Sequence, residues 1–137
     1  MHSYDLLPHI ADVRVRARGS TRAGLLTAAL KGMFVAAQPR AAGNGNGRER
    51  SFHLTAEDAS TLLADVLNEA LSFSRTNQET YDDVRFDLIT DKEAKGAFVG
   101  KAVSGFKTPI QAAKHHGLSV QKNAEGLWEA TITFDAS

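Results

Sequence analysis

Val13, Val15 and Ala17 alternate with Arg14, Arg16 and Arg18 up to Gly19, the period-2 pattern of a strand with one buried and one solvated face. After a turn at Gly19, Ser20 or Thr21 is placed to cap a helix. In it Leu25, Leu26, Ala29, Leu30, Met33 and Phe34 recur at three- and four-residue spacing, which predicts a helix over about 21–38 with one stripe on a core. Pro39 ends it. The tract from Ala41 to Gly47 buries nothing and is rich in the turn formers Gly and Asn, so a flexible loop is expected over about 40–48. Arg50 to Leu54 reads as a short strand. Thr55 and Asp58 then stand at capping-box spacing, with Asp in place of the usual Glu, ahead of a second helix carrying Leu62, Leu63, Val66, Leu67, Ala70, Leu71 and Phe73.

Strands dominate the rest of the chain. After the polar run Thr76 to Asp83, the segments Val84–Ile89 and Ala97–Val103 flank a charged turn at Asp91 to Gly96, as in a hairpin. Ile110–Ala113, Gly117–Val120 and Leu127–Phe134 follow. The last sets Trp128, Ala130, Ile132 and Phe134 against Glu129, Thr131, Thr133 and Asp135. The expected class is α+β, with two helices packed on one face of a mostly antiparallel, mixed β-sheet. There is no internal repeat, and residues 1–137 fit one domain.

Composition narrows the function. Sixteen Lys plus Arg balance sixteen Asp plus Glu, so the chain lacks the basic excess of a nucleic-acid binder, and any RNA role is expected to be indirect. The absence of Cys excludes disulfides, zinc–thiolate sites and thiol nucleophiles and agrees with a reducing compartment. No run approaches the roughly 18 apolar residues of a membrane span, and the alternating N-terminus carries no basic leader. A cytoplasmic protein without a membrane partner is the expectation.

Candidate chemistry is sparse. The chain has no phosphate loop and no nucleophile with an evident base. Asp12 opens the first alternating strand and Asp135 closes the last, and two short carboxylates at strand ends are placed to share one cation. The bland reading is a pair of solvated strand ends. His9, three residues before Asp12, suits a hydrogen bond that orients the loop, because hard cations prefer oxygen to imidazole. His115 and His116, if on a strand, point to opposite faces, so only one of them can face a pocket. Arg14, Arg16 and Arg18 share a strand face that is either ordinary solvated surface or a contact for phosphate or an acidic partner.

Taken together, LPHIADVRVRARGSTRAGLLTAALKGMF, LTAEDASTLLADVLNEALSF, AAKHHGLSVQ and WEATITFD resemble the archease family in order and spacing over essentially the whole chain. The resemblance implies an activator of the GTP-dependent 3′-phosphate RNA ligase RtcB. Such a protein helps the ligase acquire GMP on its active-site histidine and so restores turnover in tRNA splicing or RNA repair. It also implies a bound divalent cation, calcium foremost, with magnesium or manganese as substitutes, on Asp12, Asp135 and the backbone of Ala136. Glu69 matches a family glutamate on the second helix, and His9, Lys114 and His116 fall on segments that face the pocket or the partner.

The chain departs from the family pattern in several places. Ile10 replaces the threonine of the opening motif, Arg22, Ala23 and Gly24 replace acidic residues at the start of the first helix, and Val66 replaces a tryptophan. Glycine and asparagine at 43–47 replace an acidic loop. The family's functional lysine becomes Gln111. Lys114 lies three residues on, and strict alternation would put it on the opposite strand face. Beside the activator, two other classes remain: a small metal-dependent hydrolase, which needs a third strong ligand and a substrate pocket, and a general chaperone or RNA-modification partner.

Overall fold

A computed structural model describes residues 2–7, 12–42 and 48–136. In chain order the elements are β1 (His2–Leu7), β2 (Val13–Gly19), α1 (Arg22–Ala37), β3 (Pro39–Ala41), β4 (Arg48–Thr55), α2 (Ala59–Asn77), β5 (Glu79–Ile89), β6 (Glu93–Phe106), β7 (Ile110–Ala113), β8 (Gln121–Lys122) and β9 (Trp128–Ala136). The α+β class, two helices with antiparallel strands, is as the sequence implies. The strands divide between two sheets rather than forming one. The first runs β1-β2-β9-β7 with β8 beside β9, and in the second β6 pairs with β3 and β4 on one path and with β5 besides.

The long helix α1 packs against β1, β2 and β9 of the first sheet and against β5 of the second. That position explains why its burial exceeds one stripe: Ala28, Gly32 and Ala37 are buried along with Leu26, Leu30, Met33 and Phe34. A helix apolar around much of its girth belongs between layers. A Cβ on Gly32 would stand 2.6 Å from a Val15 methyl, so glycine lets α1 lie close on β2. Thr21 caps the helix by accepting the Gly24 N–H at 3.0 Å, and Gln38 ends it in the left-handed region. α2 packs across β7, β4, β5 and β6. The core joins both helices to Val15, Ala130, Ile132 and Phe134 of the first sheet and Tyr81 and Phe98 of the second.

Several boundaries differ from the sequence reading, each for a local reason. Asp58, not Thr55, caps α2, accepting the Thr61 N–H at 2.8 Å, while Thr55 closes β4 opposite Glu93. The turn before β6 is tighter than Asp91 to Gly96. Thr90 Oγ1 accepts the N–H groups of Lys92 and Glu93, so Glu93–Gly96 belong to the strand. β5 begins inside the polar run 76–83. Residues 117–120 form no strand: Gly117 turns through φ +75°, and the Val120 N–H is taken by Ser60 Oγ at 3.0 Å. Of the loop expected at 40–48, Arg40 and Ala41 pair with β6 and Arg48 starts β4. Residues 43–47 lie outside the described residues.

Candidate metal centre at the end of the first sheet

β2 and β9 pair antiparallel with Val13 opposite Phe134. Asp12 precedes the one and Asp135 follows the other, so the register alone brings the two aspartates to the same end of the sheet. On the other side of β9, Ala113 lies opposite Phe134 and Ala112 opposite Asp135. Phe134 and Ala113 are buried. Their neighbours Asp135 and Lys114 therefore fall on the outer face, and the Lys114 N–H extends the ladder to the Thr133 carbonyl at 2.9 Å.

Lys114 meets both aspartates, with its Nζ 3.2 Å from Asp12 Oδ2 and 3.3 Å from Asp135 Oδ1. Strict alternation from Gln111 would have turned it away. The ladder instead shifts register between Ile110 and Ala112, and this irregularity resets the phase of β7. Hydrogen bonds to Asp12 first and Asp135 second hold the ammonium above the usual lysine pKa. Asp12 is the more sheltered carboxylate, with 20% of its side chain exposed against 51% for Asp135, so the cleft has a closed side and an open one.

The residue that positions this strand is one the sequence reading passed over. Asn68 on α2 donates from Nδ2 to the Ala113 carbonyl at 3.1 Å and accepts the Ala113 N–H at Oδ1 at 2.7 Å. Its side-chain amide acts as a short piece of neighbouring strand, immediately before Lys114. The only hint in the sequence is an amide side chain directly after Leu67, on a helix that also carries Asp65 and Glu69.

Of the other nominated residues, His116 is not gathered here. His115 and His116 lie beyond the end of β7, so the strand argument about their faces does not apply to them. His115 Nε2 sits 2.9 Å from Asp65 Oδ1 on α2, and His116 is exposed in the turn. Ala136 is the final residue of β9, opposite Ile110. His9 and Ile10 lie outside the described residues. The arginine stripe is tied into the sheet surface: Arg16 and Arg18 reach Asp5 at 3.3 and 3.0 Å, and Arg18 reaches Glu129 at 3.0 Å.

As a donor set, Asp12 and Asp135 suit a hard cation. Both are oxygen ligands, and they already converge on one positive group, the Lys114 ammonium. Among the described residues no group of three or more His, Asp or Glu side chains is gathered for a metal. The third strong ligand of a catalytic metal site is not found among them. A surface groove of about 360 Å³ lies elsewhere, between Tyr4, Lys31 and Phe34 on one side and Tyr81 and Lys101 on the other.

Fold and site together describe a small two-helix, two-sheet protein whose chemistry is a carboxylate pair at one sheet end. The archease family model matches residues 4–136, and the chain belongs to that family. It is 27% identical to protein archease of Methanosarcina barkeri over 96% of this chain and 94% of that one. Protein archease of Methanosarcina acetivorans is 28% identical with the same coverage. In structure it is similar to Methanobacterium thermoautotrophicum protein 1598, with a TM-score of 0.73 at 21% identity over 97% of this chain and 98% of that one. It is also similar to an archease, described as a possible chaperone, from Thermotoga maritima, with a TM-score of 0.63 at 15% identity over 94% of each.

Proposed function

We propose that this chain is a non-enzymatic activator of the GTP-dependent RNA ligase RtcB, promoting guanylylation of the ligase and so its repeated turnover. The observation that carries the reading is the convergence of Asp12 and Asp135 on one cation position at an exposed sheet end, in a chain of the archease family. Asp12, Asp135 and the Ala136 carbonyl would hold a divalent cation, calcium foremost, which when bound supplies a positive charge for phosphate oxygens. Calcium takes about six to eight oxygens, so three protein ligands leave places for water or a partner's groups.

The chain's own residues do the rest. Asn68 fixes the edge of β7, the register of β2 and β9 fixes the carboxylates, and the exposed Asp135 offers the pair to a partner. RNA is reached only through the ligase, in keeping with a chain of balanced charge. The cytoplasm is the proposed place of work. Among the described residues no helix is long and apolar enough to cross a membrane.

Multiple-turnover joining of a 3′-phosphate RNA to a 5′-hydroxyl RNA, at limiting ligase, tests the reading. Asp12→Ala and Asp135→Ala are expected to keep the wild-type circular dichroism and to lose the stimulation. Full stimulation by both variants would sink the proposed role of the pair. The purified chain alone is expected to hydrolyse neither nucleotides nor phosphoesters, and turnover lost in the same variants would point to a hydrolase instead.

A further inference from the structure

We infer that Lys114 is a tethered cation that holds the Asp12–Asp135 cleft against divalent metal, so that metal enters by displacing its ammonium and frees that ammonium for an anionic partner. The inference rests on the cation reading above and adds a competitor inside the chain. Lys114 Nζ touches both carboxylates at 3.2 and 3.3 Å, and so takes up the position from which a single ion would contact both. A divalent ion and an ammonium cannot share that position, because their charges repel at contact distance.

The placement is built into the fold. Lys114 is the residue after the Ala113 backbone that Asn68 clamps, and its own N–H is bonded to Thr133. Its backbone therefore stays fixed whichever way the side chain turns. The flexible four-carbon stem allows the ammonium to swing out, and the side chain is 37% exposed, so solvent lies on its free side. Once displaced, the ammonium remains beside the pair as a compact donor suited to phosphate or carboxylate. Exchange of one cation for another thus converts a patch whose two carboxylates are bridged from within the chain into one that presents a metal and an ammonium side by side.

The test is calorimetric titration of calcium chloride into the full-length wild type, Lys114→Met and Asp135→Asn, together with amine-reactive labelling of wild-type Lys114 read by mass spectrometry. Lys114→Met is expected to bind calcium at least about tenfold more tightly than wild type, equivalent to ~1.4 kcal/mol. Asp135→Asn is expected to bind more weakly, and calcium is expected to raise the labelling of Lys114. Lys114→Gln, which keeps a polar side chain, should behave like Lys114→Met and guards against a folding artefact. Equal affinities in wild type and Lys114→Met, lost in Asp135→Asn and with labelling unchanged, would overturn the tethered cation while leaving the cation site standing. Absence of calcium binding in every form would overturn both.

Discussion

At the scale of single residues, the most constrained side chain lies away from the aspartate pair. Glu79 is buried in the second sheet, where Arg50 grips both its oxygens at 2.9 and 2.8 Å and the Tyr81 hydroxyl donates to Oε1 at 2.7 Å. These bonds, Arg50 first, hold the carboxyl below the ordinary glutamate value of 4.5. Burial, followed by the bond to Glu79, pushes the Tyr81 hydroxyl upward. A carboxyl depressed in the folded chain stabilises it above the unfolded value, and that contribution drains away as pH falls through the folded one. Glu79→Gln is therefore expected to cost about 1–3 kcal/mol at neutral pH, and the gap from wild type should narrow below about pH 4.5. Urea unfolding at pH 7 and at about pH 3 checks this. A gap that widened in acid would contradict the assignment.

At the scale of elements, the geometry of the site depends on the strand β7, which α2 holds through Asn68 at Ala113 and through Arg75, whose guanidinium donates to the Gln111 carbonyl at 2.9 Å. Asn68→Ala removes both hydrogen bonds to Ala113. The substitution is expected to lower stability by about 1–2 kcal/mol and to speed amide hydrogen exchange at Ala113 and Lys114 more than elsewhere in the first sheet. Uniform exchange across β7 and β9 would show that Asn68 does not position the strand. The sequence made this element's neighbours visible and its support invisible. α1, α2 and β9 were legible because their apolar residues recur at the period of their backbone, and Asp12 and Asp135 because they end two such patterns. Asn68 drew no notice, since its partner lies 45 residues away. Glu79 and Thr80 fell in a polar run given no element, because buried polar residues are recognisable only by their tertiary partners. The phase of Lys114 was missed because a register irregularity leaves no mark in the pattern of polar and apolar positions. β3 is short, exposed and opened by a proline, so it carries no alternation to read.

At the scale of the whole molecule, two sheets and two helices close a single core and leave one sheet end carrying the Asp12–Asp135 pair. That division of labour suits a protein that acts by contact. The core is filled chiefly by Ala, Leu and Phe. Within the arginine stripe Arg16 and Arg18 are paired with Asp5 and Glu129, and the sixteen positive and sixteen negative side chains of the chain cancel. On the proposed function, what the molecule would offer a partner is local, the Asp12–Asp135 pair, rather than a field spread over the surface. The central claim is that this surface speeds nucleotide transfer onto another protein. The most direct measurement is the rate at which the RNA ligase takes up labelled GMP from GTP, with limiting ligase and a divalent cation, in the presence and absence of this chain. Faster guanylylation with the wild type, and none of that gain with Asp12→Ala or Asp135→Ala, is the expected result. An unchanged rate, with a folded chain and a ligase competent on its own, would contradict the account.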